Sequence, residues 1–373
     1  MTFQPDDFRD DPDFDTPALT EAAALRVAAP DPEALARAAT RRLIAQRRLA
    51  VRSIHVDYAP QMELEDALDE ALESAPLLRD AELPQPAVHL LADSFSGKSA
   101  AARQWIAKVL ARGDQVPGTT PVAYGRIDTD GTIGSVATDI LKALGEKRPD
   151  ALTPDKRWDR ARQAIRAHGL KVLVFDEFQR AGRRPTISPA IAGKILDIMD
   201  SGDCAVAFIG KKDAVNVFKS CQDLMNRLDT PVHIPRLMWT TDQEDFTKFA
   251  DAFDQALVDA RITKVKSGLA DPDTAQRLLE ASNGLIGQFS RIVETAVVMM
   301  TRDGADAITR QDLRDAVQEW SIGNGRIGHN PFVKSLADIA AETGAGKTKT
   351  GKARGVGKGE KRTTGAGDGE DGR

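Results

Sequence analysis

The sequence predicts an α/β unit built on a parallel five-stranded sheet with helices on both faces, joined to a small all-helical unit. Three observations carry that prediction. Between Ala87 and Ile234, short apolar runs alternate with amphipathic stretches of helical period, the pattern of parallel strands joined by crossover helices. A small-residue turn ending Gly97-Lys98-Ser99 separates the first apolar run from a helix. From Asp242 onward strand signals vanish and only helical periodicity remains.

Composition narrows the class. A chain of 373 residues has room for two or three modules and a sizeable core. With 41% hydrophobic and 29% charged residues, it reads as globular with solvated segments. A net charge of −5 argues against a uniformly basic nucleic-acid coat but leaves room for a local basic patch. Cys204 and Cys221 lack metal-ligand spacing and the five histidines form no HExxH-type cluster, so no structural zinc is expected. No apolar run approaches the roughly 18 residues of a membrane span. The acidic N-terminus, with Asp6, Asp7, Asp10 and Asp11, is the reverse of a secretion signal. A cytoplasmic protein without a membrane partner is expected.

In chain order, residues 1–30 are Asp- and Pro-rich and should form a disordered acidic leader. Residues 31–82 read as a helical N-terminal extension, with Leu64, Leu68 and Leu72 at a spacing of four. Its first part, with Arg37, Arg41, Arg42, Arg47, Arg48 and Arg52, is either a solvated helix face or a docking or DNA-facing surface.

Residues 83–238 carry the sheet. Val88 to Leu91 form the first strand, and Ala102, Trp105, Ile106, Val109 and Leu110 mark the helix after it. Between them, Asp93, Ser94, Phe95, Ser96, Gly97, Lys98, Ser99 and Ala100 form a candidate phosphate-binding loop, because a helix N-terminus preceded by small residues offers free N–H groups and a positive dipole end. Lys98 would reach the β- and γ-phosphates of ATP, and the Ser99 hydroxyl would ligate Mg²⁺. The pattern departs from its usual form at two positions. Ala92 stands where glycine is usual and restricts the turn, and Asp93 puts a negative charge near the nucleotide.

Val122 to Ile127 form a second strand, followed by a polar loop and helices over Ile133 to Leu144 and Trp158 to Ala167. The third strand, Val172 to Phe175, runs into Asp176 and Glu177. Continuous apolar runs are buried parallel strands, and ligand chemistry collects at their C-terminal ends. Asp176 would hold Mg²⁺ through water and Glu177 would polarise the attacking water. Alone, two acids there read as a solvated strand end; with the Lys98 loop upstream they read as the second half of a nucleotide site. The loop Arg180 to Pro185 is basic and turn-rich, either a flexible surface loop or a phosphate contact. A helix over Ile191 to Met199, a fourth strand from Cys204 to Gly210 ending beside Lys211, a helix over Asp213 to Leu228 and a fifth strand, Val232 to Ile234, complete the unit.

Residues 239–325 should form the all-helical unit, with one helix carrying Phe246, Phe249, Phe253 and Leu257 and others over Ala275 to Ala281, Ile286 to Met299 and Arg310 to Trp320. Residues 326–373 read as a flexible Gly/Lys-rich tail, solubilising or making a weak, salt-sensitive nucleic-acid contact. Its Thr343 to Thr348 segment imitates a phosphate loop but lacks a strand before it and a helix after it.

Four stretches, HLLADSFSGKS, VLVFDEFQR, AFIGKKDAVNVFKSCQDLMNRL and SNGLIGQFSRIVETA, together resemble the TniB family of AAA+ P-loop ATPases of bacterial transposons, related to TnsC and more distantly to phage Mu B protein. The resemblance runs from about Leu83 to Gly323 and implies an AAA+ module with a helical lid. It implies ATP and Mg²⁺ as cofactors, an ATP-dependent homo-oligomer on duplex DNA, an integrase-type transposase as partner, and hydrolysis as the step that dissolves the assembly. It also implies roles for single residues. Arg227 matches the arginine finger that reaches a neighbour's γ-phosphate, and Arg291 matches the lid arginine that senses the same group. Without the resemblance, Arg227 reads as a solvated helix charge. Lys211 stands where Asn or Thr is usual; it either replaces that hydrogen bond by charge or leaves water poorly positioned, which would slow hydrolysis without weakening nucleotide binding. By placement, the loops facing the central channel would contribute Arg126, Thr129, Thr132, Arg183 and Arg184 to DNA contact. Two rivals stay open: an AAA+ ATPase acting on a protein without DNA, and a nucleotide-dependent binding module with weak or lost hydrolysis.

Overall fold

The computed structural model describes residues 31–113, 116–128 and 130–333; the expected leader, Thr129 and the tail from residue 334 onward, with its Thr343 to Thr348 segment, lie outside the described residues.

Helix α1 (Pro32–Ser53) starts where the Asp31 carboxylate accepts the Glu33 N–H at 3.1 Å, with Pro32 in the first turn where no N–H is needed. Helix α2 (Ala59–Asp80) buries Leu64, Leu68 and Leu72, the leucines spaced by four, along one stripe. Strands β1 (Ala87–Leu91), β2 (Val122–Arg126), β3 (Val172–Asp176) and β4 (Ala205–Gly210) form a parallel sheet in the order β1-β4-β3-β2. Every residue of β3 and β4 is buried, which accounts for their unbroken apolar sequence.

Among the described residues the sheet has four strands where five are expected. The fifth segment runs beside β1 but makes only two isolated parallel bridges, Ala87 to Leu228 and Leu90 to Val232, and these are out of register by one residue. Pro231 lies between them without an N–H and Pro235 follows, so a continuous ladder cannot form. The helix expected over Asp213 to Leu228 is likewise divided, into α7 (Val215–Lys219) and α8 (Gln222–Met225). The break falls where the Ser220 hydroxyl donates to the Val217 carbonyl at 2.6 Å and Cys221 turns extended.

Alternation along the strands sends side chains to two cores. Val88, Leu90, Val174 and Ala207 face α2 and α3 (Lys98–Ala111). Leu173, Phe175, Val206 and Phe208 face α4 (Ile133–Ala143), α5 (Pro154–Ala167) and α6 (Ser188–Asp200). On the second face Phe178 lies on Phe208, ring centroids 4.4 Å apart, and Phe218 closes the cluster.

The helical segment comprises α9 (Trp239–Asp259), α10 (Pro272–Ala281), α11 (Ile286–Asp303) and α12 (Arg310–Ala316), the last running on into a π-helical turn, Val317–Ile322. Phe289 sits edge-on to Phe246, Phe249 and Phe253, and this cluster is continuous with the α2–α3 core. Residues 326–333, grouped with the tail on composition, are packed: Phe332 is buried and Arg326 lies between the rings of Phe95 and Trp320. Among the described residues no helix is long and apolar enough to cross a membrane.

Candidate functional site

The C-terminal ends of β1, β4 and β3 lie side by side, so the segments leaving them converge: Ala92 to Ser99, then Lys211, then Asp176 and Glu177. This is the edge at which parallel α/β sheets bind ligands.

The loop begins as an extension of β1, with the Ala92 N–H donating to the Gly210 carbonyl at 3.0 Å. Ala92 is not among the residues with positive φ; those positions fall on Phe95 (φ 67°) and Gly97 (φ 90°). Alanine at the first position therefore does not restrict the turn, because left-handed backbone is needed only further on. Asp93 is also placed differently from expectation. Its carboxylate turns to Arg236 at 2.7 Å, with Lys212 at 3.7 Å, and these contacts hold it below the usual carboxylate range, led by the Arg236 hydrogen bond. The negative charge is matched within the chain.

Two elements pin the loop from outside. Gln61 of α2 donates to the Gly97 carbonyl at 3.2 Å, and the Gly287 N–H in the first turn of α11 donates to the Phe95 carbonyl at 2.9 Å. A Cβ on Gly287 would come within 2.5 Å of that carbonyl oxygen, which explains the glycine. Lys98 is buried; its ammonium donates to the Asp93 carbonyl at 3.0 Å, and burial pushes its pKa down against the pull of Asp176 and Glu177. The buried Ser96 hydroxyl has no hydrogen-bond partner. An orphaned hydroxyl, a buried ammonium and a helix N-terminus together fit a phosphate group. Ser99 and Asp176 supply one hydroxyl and one carboxylate, a donor set that suits Mg²⁺, which keeps waters and substrate phosphates as its remaining ligands.

Asp176, at the end of β3, accepts the Glu177 N–H at 2.8 Å with one oxygen and the Tyr124 hydroxyl with the other. Burial, then the Asp176 charge, raises the Tyr124 pKa, so Tyr124 stays a donor. Glu177 has left-handed backbone, φ 58°. Its Oε2 accepts from the Gln179 amide at 2.9 Å and lies 3.4 Å from Arg180 Nε. Gln179 also accepts the Lys211 N–H at 2.9 Å, while the Lys211 side chain is exposed.

Arg291 projects from α11 into a hollow of about 210 Å³ beside Gly97 and Ala100, walled by Ile54, His55, Phe249 and Phe253. It donates to Glu294 at 2.6 Å, and Arg52 of α1 holds the same carboxylate at 2.8 Å. Burial pushes Glu294 up, but the hydrogen bonds from Arg52 and Arg291 outweigh it and its pKa is lowered. Arg227 is elsewhere: the Ala87–Leu228 bridge sets it near the start of β1, paired with Asp200 at 3.0 Å. Five strand residues, roughly 16 Å at strand rise, separate it from its own loop.

Of the residues proposed for DNA contact, Arg126, Arg183 and Arg184 are exposed. The Thr132 hydroxyl is committed to capping α4, accepting the Ser135 N–H at 3.1 Å. The two loops that carry these residues touch, since a Cβ on Gly131 would meet the Arg180 carbonyl oxygen at 2.5 Å. Gln61, Tyr124, Gln179, Arg180 and Arg236 belong to the site although no motif assigns them roles. Gln179 and Arg180 stand two and three residues after Glu177, and that nearness is the one local signal for any of them.

A family model described as bacterial TniB protein matches residues 49–238. No curated protein sequence matches the chain. Among solved structures, the chain is similar to the ORC1 protein of Aeropyrum pernix in complex with DNA, with 16% identity, 73% of this chain and 69% of that chain covered, and a TM-score of 0.55. It is also similar to the ADP form of the ORC2 protein of the same organism, with 14% identity, 67% of each chain covered and a TM-score of 0.51. At these identities the likeness is one of fold, a parallel α/β sheet with many helices.

Proposed function

Because the chain belongs to the TniB family, matched over residues 49–238, we propose that it is an ATP-dependent, DNA-binding AAA+ regulator of transposition. The observation that carries the reading is the convergence of the Lys98 loop, Lys211 and the Asp176–Glu177 pair on one sheet edge, with α11 bonded directly to the loop. Lys98 and the loop N–H groups hold the phosphates of ATP, and the hollow beside Gly97 takes the base. Mg²⁺, held by Ser99 and Asp176, would neutralise charge on the β- and γ-phosphates. Glu177 accepts a proton from the water that attacks the γ-phosphate, and Arg291, paired with Glu294 on the wall of the hollow, answers the charge that develops there once it leaves that partner. Lys211 adds positive charge at the same edge.

Arg227 cannot serve its own subunit from the opposite edge of the sheet. It acts on the nucleotide of a neighbour, so ATP favours a homo-oligomer through contacts that ADP lacks. Arg126, Thr129 and Thr132 from the segment after β2, with Arg183 and Arg184 from the segment after β3, are the residues we assign to duplex-DNA contact; the Thr132 hydroxyl is occupied, so the arginines carry the charge. The assembled form recruits an integrase-type transposase, and hydrolysis releases it. In support, one of the proteins of similar fold is described in complex with DNA.

Sedimentation and duplex-DNA binding with a slowly hydrolysed ATP analogue, against ADP, tests the reading. Large complexes that need analogue and DNA together are expected. Nucleotide binding without DNA-dependent assembly would favour an ATPase directed at a protein. The engaged state of Glu177 favours a second reading, a binding module with weak hydrolysis. Equal turnover by wild type and Glu177→Gln would support that module.

A further inference from the structure

Helix α1 reaches the candidate site through its last turns. Arg47 donates to the Thr301 hydroxyl of α11 at 2.8 Å, Val51 is buried, and Arg52 grips Glu294 of α11. Two arginines of the basic stretch are therefore committed to α11 within the chain. The grip of Arg52 is two-sided. Its Nη2 donates to Glu294 Oε1 at 2.8 Å and its Nε to Oε2 at 3.0 Å, the forked geometry in which a guanidinium holds a carboxylate most firmly. Arg291, three residues before Glu294 on the same helix, donates through one nitrogen, Nη1, to Oε2 at 2.6 Å. Both carboxylate oxygens thus keep a donor if Arg291 turns away.

The side chain of Glu294 is 6% exposed, whereas that of Arg291 is 39% exposed and borders the hollow beside Gly97. A buried carboxylate that loses its last cation costs far more than an exposed guanidinium that changes partner. Burial pushes Glu294 up, and hydrogen bonds, first from Arg52 and then from Arg291, bring its pKa below the usual value. Arg291 also stands close to the loop it would serve, four residues after Gly287, whose N–H is bonded to the Phe95 carbonyl. Four residues are roughly 6 Å along a helix axis, within reach of an arginine side chain. We infer that Arg52 is a positioning residue that keeps Glu294 paired in place of Arg291, so that Arg291 can swing to the γ-phosphate without leaving a buried charge unpartnered. That role rests on the one proposed above for Arg291. ATP then draws Arg291 out of the pair, while ADP, which has no γ-phosphate, leaves it there.

The test titrates the full chain with a slowly hydrolysed ATP analogue and with ADP, each with Mg²⁺, for wild type, Arg291→Ala, Arg52→Ala, Arg52→Lys and Arg52→Ala combined with Glu294→Gln. Arg291→Ala should abolish the preference for the analogue over ADP. Arg52→Ala should lower analogue affinity by about tenfold, inside the range of about 5–150-fold for ordinary coupling between sites, with ADP affinity unchanged. Arg52→Lys, which keeps the charge and loses the fork, should lose less. Adding Glu294→Gln to Arg52→Ala should restore analogue affinity, because a neutral amide releases Arg291 without needing a cation. Damage to the packing of α1 would persist in that double variant. Equal losses of analogue and ADP affinity in Arg52→Ala, or no rescue by Glu294→Gln, overturns the inference. So does an Arg52→Ala chain that binds the analogue as wild type does while Arg291→Ala does not. If wild type binds neither nucleotide, or Arg291→Ala keeps the full preference for the analogue, the role proposed for Arg291 fails and that of Arg52 falls with it.

Discussion

The two halves of the candidate site are held in different ways. The phosphate loop is fixed largely through its backbone: Gln61 on the Gly97 carbonyl, the Gly287 N–H on the Phe95 carbonyl, and the Ala92 N–H on Gly210. The acidic half is fixed through side chains, with Glu177 held by Gln179 and Arg180, and Arg180 by a loop carbonyl. Backbone contacts that leave no room for a Cβ are rigid, whereas long charged side chains change partners at small cost. On the function proposed above, the half that would hold phosphate is the rigid one and the acidic half is the one free to rearrange.

Glu177→Gln should separate the halves most sharply. Removing the proton acceptor should lower kcat by about 10²–10⁴-fold, the usual contribution of a general base, while ATP affinity measured by titration stays near wild type. If both fall together, the halves are one unit. Next in size, Phe178→Ala removes a fully buried ring that stacks on Phe218 and packs tilted against Phe208 under the acidic half. A loss of about 3–5 kcal/mol in chemical denaturation is expected. A smaller effect should come from Gly287→Val, whose Cβ would meet the Phe95 carbonyl oxygen at 2.5 Å and push α11 off the loop. ATP affinity should fall by about tenfold, equivalent to about 1.4 kcal/mol, with kcat changed less than KM.

The smallest effect concerns Asp139, beneath the loop after β2. Burial raises its pKa from 3.8 to about 6, against the pull of the Asp128 N–H and Lys142; the Asp128 charge adds to the rise. The folded protein therefore keeps a proton there that the unfolded chain has released, and stability falls as pH rises through that window. Asp139→Asn should remove about 1–2 kcal/mol of this dependence, read as a flatter plot of denaturation midpoint against pH from 4 to 6.5.

Local patterns made much of this legible. Lys98 and Ser99 at a helix start, Asp176 at the end of a buried strand, and the aromatic stripe of α9 each announce themselves within a few residues, because one period or one turn is enough to recognise them. What escaped is set by contacts across distance. Gln61 meets Gly97, and Arg236 meets Asp93, 143 positions apart; no periodicity encodes such pairs. Val232, His233 and Ile234 have the side chains of a fifth strand, while ladder formation depends on the N–H groups that Pro231 and Pro235 lack. From sequence alone Ala92 reads as a defect, since glycine is usual there, whereas the left-handed backbone lies at Phe95 and Gly97.

The packing of Trp320 gives the molecule an optical handle. Its ring lies edge-on to Phe95 at 5.9 Å and carries the Arg326 guanidinium 4.6 Å from its centroid. Of the four tryptophans, Trp105 and Trp158 are sealed in the interior, so their emission should stay constant. With Trp239→Phe as background, intrinsic fluorescence of Trp320 would follow the tip of the phosphate loop in real time and without a label, making nucleotide arrival and departure visible on the protein itself.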